Sequence, residues 1–217
     1  AVELARQAVS GGAAALLLMP PYFFRYPQSD LAAFYLSFAE EFDGGPPLVL
    51  YNIPFFSNPL EAATVERLLA GGRFAAIKDS SGDWDNFLEL QRLRERTAFR
   101  LLVGNDVLFT RGRSAGADGV VSGVACAVPE LITALDRAIR SGNAAAVERL
   151  EGRLQEFLAR IDPLPTPIGV REAVALRGLK TGPHAVPLGE ENTRRLGEFR
   201  EWFPGFLAAA KKDCEGV

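Results

Sequence analysis

Five short runs of unbroken apolar character punctuate the first 124 positions: Ala15 to Met19, Pro47 to Ile53, Phe74 to Lys78, Arg100 to Gly104 and Gly119 to Val124. Continuous rather than alternating apolar runs are the pattern of parallel strands covered on both faces. The runs recur at intervals of roughly 20 to 30 residues, close to the smallest βαβ unit. Between them the spacing changes to that of helices. Leu31, Phe34, Leu36 and Phe38 predict a helix over Asp30 to Phe42, with Ser29 or Asp30 as its N-cap. Helices are also expected over Leu60 to Ala70, stopped by Gly71-Gly72, over Trp84 to Arg94, and over Val107 to Gly112.

After Pro129 the strands stop. Glu130 to Ser141, Ala144 to Ile161 and Ile168 to Arg177 read as helices, and Asn192 to Ala210 as one more, interrupted near Pro204. The expected organisation is a partial (β/α) barrel over 1–141 followed by a helical region over 142–217.

Alternating β and α elements imply a parallel sheet, either a closed barrel or an open doubly wound sheet. A barrel is favoured because polar or reactive residues follow nearly every apolar run: Tyr22, Tyr51, Lys78, Asn105-Asp106 and Ser122. Barrel enzymes place their chemistry at that end of the strands. No strand-to-helix turn carries the glycine-rich fingerprint of a dinucleotide site.

Composition narrows the chemistry. Of 217 residues 48% are apolar and 24% charged, and the net charge is -3, with no basic stretch suited to nucleic acid. Ala13 to Met19 is too short to span a bilayer, and Ala1-Val2-Glu3-Leu4 lacks the basic start of a secretory signal. Cys126 and Cys214 lie far apart in sequence, so neither a disulfide nor a metal site is expected, and a reducing cytoplasm is the default location. His184 is the single histidine, and only four of the 24 basic residues are lysines: Lys78, Lys180, Lys211 and Lys212.

Lys78 ends an apolar run and precedes Asp79-Ser80-Ser81-Gly82. An ammonium lodged in an apolar strand loses hydration, which favours the neutral amine able to attack a carbonyl. Lys78 could instead pair with Asp79 or cap a helix. Tyr51, at the end of Leu48-Val49-Leu50, could relay protons or simply satisfy a backbone carbonyl. Asn105 and Asp106 could bind substrate hydroxyls or cap the helix beginning near Val107. Gly112-Arg113-Ser114-Ala115-Gly116 matches the G-x-S-x-G elbow of serine hydrolases, with His184 downstream, but the elbow needs a strand before its serine and a helix after it. The expected order here is the reverse, so an αβ loop is the better reading of Ser114. The cluster Tyr22-Phe23-Phe24-Arg25-Tyr26 suits a pocket lining or a subunit contact.

Several segments together resemble the dihydrodipicolinate synthase / N-acetylneuraminate lyase family of class I aldolases. They are Pro20-Pro21-Tyr22, Tyr51-Asn52-Ile53-Pro54, Ile77-Lys78-Asp79-Ser80-Ser81-Gly82, Gly104-Asn105-Asp106 and the stretch from Gly116 to Ser122. The resemblance implies an aldolase-type (β/α)8 barrel in which Lys78 forms a Schiff base with a 2-keto acid such as pyruvate and Tyr51 shuttles a proton. It further implies Asn105, Asp106, Val121 and Ser122 as contacts to the substrate, an aldehyde as second reactant, no metal or other cofactor, and a homo-oligomer, usually a tetramer.

Two departures from the family pattern qualify this. Family members begin with three strands that have no counterpart here, the second bearing a Gly-Thr-Thr-Gly-Glu-like loop that holds the keto acid carboxylate. Five strands cannot close an eight-stranded barrel. The chain is therefore expected to be truncated, or completed by other protein, and catalytically poor by itself; a non-catalytic fragment is one alternative. The second departure is Phe56, where dihydrodipicolinate synthases usually carry an arginine for a distal carboxylate, together with Phe23, where they carry a relay tyrosine. Both favour a keto-deoxy sugar acid aldolase or N-acetylneuraminate lyase-like activity, with dihydrodipicolinate synthase as the alternative.

Overall fold

The computed structural model describes residues 1–42 and 45–217. The chain divides into two compact units, Ala1–Val121 and Ser122–Val217.

The first unit opens with α1 (Val2–Ser10), then alternates strand and helix: β1 (Leu16–Leu18), α2 (Gln28–Glu41), β2 (Leu48–Asn52), α3 (Ala62–Ala70), β3 (Phe74–Asp79), α4 (Trp84–Leu93), β4 (Arg100–Val103), α5 (Phe109–Ser114) and β5 (Gly119–Val120). All strands pair in parallel in the order β1-β2-β3-β4-β5. Each expected strand is present, four within their predicted runs and β3 one residue past its run, at Asp79, because an apolar run of this length is buried by helix packing. The last is shorter than its run: Val121 N–H still donates to Val103 O (2.9 Å), but Val124–Cys126 turn into a short 3-10 segment.

One face of the sheet meets the helices. Leu16, Leu48, Leu50, Ile77, Leu101 and Val103 pack there with buried residues of α2, α3 and α4. Tyr35 of α2 is fully buried, donates to Leu18 O (3.1 Å) and meets Phe74 edge-on, so it joins the helix to two strands. Helix α2 begins earlier than expected and has Pro27, not Ser29 or Asp30, at its N-cap; the Ser29 hydroxyl instead donates to the Asp30 carboxylate. Proline fixes an extended entry that neither polar residue is needed to provide.

The second unit contains α6 (Pro129–Ser141), α7 (Ala144–Ile161), α8 (Ile168–Leu176) and α9 (Glu190–Asp213). Pro204 does not interrupt α9, contrary to expectation. A proline forfeits one backbone bond, and here the helix is held on both sides of it by Phe199, Phe203 and Phe206 packing around Phe157. No helix among the described residues is long and apolar enough to cross a membrane.

Candidate active site

Register decides where the candidate residues meet. Tyr51 of β2 stands opposite Lys78 of β3, which stands opposite Leu102 of β4 and, in turn, Gly119 of β5. Tyr51, Lys78 and Leu102 alternate with the core-facing Leu50, Ile77 and Leu101, so their side chains emerge on the sheet face turned away from the helices. Lys78 is only 9% exposed. Its ammonium nitrogen donates to the Tyr51 hydroxyl at 2.9 Å and lies 4.1 Å from the centre of the tyrosine ring. The amine and the phenol are therefore one hydrogen-bonded unit, in reach for proton transfer.

The space around the amine is made by a glycine. A Cβ on Gly104, at the end of β4, would stand 2.7 Å from Lys78 Cε and 2.0 Å from the Ser80 hydroxyl oxygen. Ser80 Oγ is buried and has no hydrogen-bond partner among the described residues. A buried hydroxyl left without a partner costs roughly 1–3 kcal/mol, a cost that an arriving polar ligand atom would remove. Ser80 was legible only as part of a motif; its importance comes from the close approach of Gly104, which no spacing shows.

On the opposite face one residue further along lies a buried polar cluster. Asn52 donates to Asp79 at 2.7 Å and accepts from Leu60 N–H at 3.0 Å. Asp79 also receives the Ser81 hydroxyl (2.9 Å) and the Asn86 amide (3.4 Å). Burial pushes the Asp79 carboxyl above its ordinary pKa, opposed by the hydrogen bonds from Asn52 and Ser81. Lys78 and Asp79 thus face opposite sides of β3, and Asp79's bonds run to Asn52, Ser81 and Asn86 rather than to the lysine.

The remaining candidates spread around the strand ends. Asn105 accepts from Val107 N–H (3.0 Å), capping the turn Asp106–Leu108, with its side-chain nitrogen beside Gly82. Asp106 lies in that turn. Val121 ends the first unit, partly exposed. Ser122 opens the second unit, where its hydroxyl accepts from Ala125 N–H (3.1 Å). Ser114 closes α5 and is followed by a strand, the reverse of a nucleophile elbow. No group of three or more metal-ligating side chains occurs among the described residues.

Aromatic side chains crowd two adjoining loops. Phe23 is 88% exposed with φ +76°, and Tyr22, Phe24, Phe55 and Phe56 are exposed too. Asn58 clasps the loops together: its amide donates to Pro21 O (2.7 Å) and Phe24 O (2.8 Å), and its oxygen accepts from Tyr26 N–H (3.0 Å). Away from all this, a groove of about 660 Å³ lies at the opposite, N-terminal ends of β3 and β4. Its two arginines, Arg94 and Arg100, are already paired with Asp118 at 3.0 and 2.7 Å.

Comparison with known proteins places the chain in a family. Residues 1–202 match the Dihydrodipicolinate synthetase family. A 4-hydroxy-tetrahydrodipicolinate synthase of Acaryochloris marina is 34% identical over 191 residues, 88% of this chain and 64% of its own length. Among solved structures, the dihydrodipicolinate synthase of Aquifex aeolicus superposes with a TM-score of 0.84 at 25% identity, covering 94% of this chain and 70% of that one. The KD(P)GA of T. tenax does so with a TM-score of 0.79 at 25% identity, covering 97% and 72%. The chain spans about two thirds of the length of the curated relatives it matches. Its five parallel strands and flanking helices are those of the aldolase type of TIM barrel, and the chain belongs to the Dihydrodipicolinate synthetase family.

Proposed function

We propose that this chain carries the imine-forming centre of a class I aldolase acting on a 2-keto acid, with pyruvate as product or substrate. The observation that carries this reading is the 2.9 Å hydrogen bond between Lys78 Nζ and Tyr51 Oη on a partly covered sheet face. The neutral amine of Lys78 adds to the keto carbon. The carbonyl oxygen leaves as water with one proton from the amine and one relayed by Tyr51, and a protonated imine remains. That cation accepts the electrons of the C–C bond between the carbons α and β to it, so that an enamine is left as an aldehyde departs, and the β-hydroxyl proton passes to a base, for which the Tyr51 oxygen is placed. Reprotonation of the enamine and hydrolysis release pyruvate and the amine. Condensation is the same sequence reversed, and neither direction needs a metal. Ser80, Asn105, Asp106, Val121 and Ser122 supply contacts to the rest of the substrate, and Ser80 has the unused hydroxyl to do so.

The test is reduction with borohydride in the presence of pyruvate, read by peptide mass spectrometry. A reduced pyruvyl mass on the Lys78 peptide is expected. No adduct, or labelling spread evenly over Lys180, Lys211 and Lys212, would defeat the reading.

The curated relatives' name, 4-hydroxy-tetrahydrodipicolinate synthase, favours a second reading. Against it stands Phe56, an exposed phenyl ring where the resemblance puts an arginine for a distal carboxylate. A keto-deoxy sugar acid or a similar neutral-tailed substrate suits that surface better. The aromatic patch around Phe23 supports self-association, since exposed aromatics are enriched where subunits meet. Both cysteines are free thiols, which fits a reducing cytoplasm.

A further inference from the structure

The ladder between β2 and β3 contains an irregularity upstream of the site. Leu48 pairs with Phe74, but the next residue, Val49, pairs with Ala76, so one residue of β3 is skipped. Without that skip the same ladder would continue with Tyr51 opposite Ile77 and Asn52 opposite Lys78. The skipped ladder and a continuous one differ by one residue, and a one-residue slip turns every side chain to the other face. Only the skipped register puts Lys78 across from Tyr51.

We propose that the buried hydrogen bond between Asn52 and Asp79 selects this register and thereby positions Lys78 against Tyr51. The inference rests on the aldolase reading for its functional consequence. The pair occupies the rung immediately beyond the Lys78–Tyr51 rung and points to the opposite face, so it constrains the amine and the phenol without touching them. In the slipped register Asp79 would lose Asn52, and a buried carboxylate deprived of a partner is heavily penalised. Both ends of the pair are anchored further: Asn52 to the entry of α3 through Leu60 N–H, Asp79 to the first turn of α4 through Asn86. The partners of Asp79 are neutral groups, and burying a carboxylate among them is a poor way to gain stability compared with an apolar residue of similar size. Specificity of pairing accounts for what stability does not. Asn52 and Asp79 are positioning residues; neither reaches the reacting atoms.

The test uses the 217-residue chain with three variants: Asn52→Leu, Asp79→Leu, and the exchange Asn52→Asp with Asp79→Asn, which keeps a carboxylate–amide bond between the strands. Two readouts are taken well below the unfolding midpoint. One is the yield of reduced pyruvyl adduct on Lys78. The other is the 13Cζ resonance of Tyr51 and its response to Lys78→Met, which needs no activity. Each leucine variant is expected to lower the adduct at least tenfold and to abolish the Tyr51 response, and the exchange is expected to restore both. Wild-type behaviour of a folded leucine variant would overturn the proposal, as would an exchange variant that folds but recovers neither signal. Should the leucine variants not fold, the exchange variant decides alone. Should the unaltered chain give no adduct, the aldolase reading falls, and the Tyr51 resonance judges the register proposal on its own.

Discussion

Gly104 leaves the room that the Ser80 hydroxyl occupies: a methyl group on its Cα would lie 2.0 Å from Ser80 Oγ and 2.7 Å from Lys78 Cε. Neither neighbour is the loose end of a surface chain, since Lys78 and Ser80 are both buried. Gly104→Ala is expected to cost about 1–3 kcal/mol of stability, as overpacking does, and to reduce pyruvate trapping on Lys78 by at least tenfold. Thermal unfolding and adduct mass spectrometry measure the two effects. A variant that traps pyruvate normally would show that the lysine side chain can relocate without penalty.

Tyr51→Phe removes the hydroxyl that accepts from Lys78 but keeps the ring beneath the amine. The proton relay should suffer more than imine formation. Turnover, in whatever assembly is active, is expected to fall by roughly 10²–10⁴, while borohydride trapping on a scale of hours persists. Equal loss of both would mean that the phenol serves mainly to hold the lysine.

Phe23 adopts a left-handed conformation while presenting its ring to solvent. Such backbone costs on the order of 1 kcal/mol or more for a residue other than glycine. Phe23→Gly is therefore expected to stabilise the isolated chain slightly, by thermal unfolding, and to weaken its self-association, by sedimentation. Stabilisation with unchanged association would remove the aromatic loop from any subunit contact.

In the second unit Arg177 holds Glu130 through two contacts, at 2.6 and 3.0 Å, and keeps its carboxyl below the ordinary range. A depressed folded pKa contributes stability above the unfolded value and loses it as pH falls through the folded one. Glu130→Gln is thus expected to lower stability at pH 7 by about 1 kcal/mol or less, given the pair's partial exposure. The difference from the unaltered chain should shrink below pH of about 4. A difference that persists in acid would point to packing rather than charge.

Much of the first unit could be read from apolar runs because each strand needs cover from the helices, and that need leaves unbroken stretches such as Leu48-Val49-Leu50. Lys78 and Tyr51 stood out as polar residues ending such stretches. What composition and spacing could not disclose was which residue faces which. The pairing of Tyr51 with Lys78 and the bond between Asn52 and Asp79 follow a one-residue skip in the ladder, and the unpartnered Ser80 hydroxyl lies against Gly104. Pro204 misled for a related reason: local rules mark it as a breaker, whereas the aromatic packing of Phe199, Phe203 and Phe206 is set by distant residues such as Phe157. The cap of α2 shows the same limit on a smaller scale, for Ser29 has the right chemistry but bonds to its neighbour Asp30.

Lysine is scarce in this chain, and Lys78 is the sole example in the first unit. Guanidinium groups stay protonated at any ordinary pH and do not condense with ketones. A keto acid diffusing over the arginine-rich exterior of that unit therefore meets groups that attract its carboxylate but cannot capture its carbonyl. Among that unit's side chains, the one nitrogen able to hold it covalently sits beside a phenol.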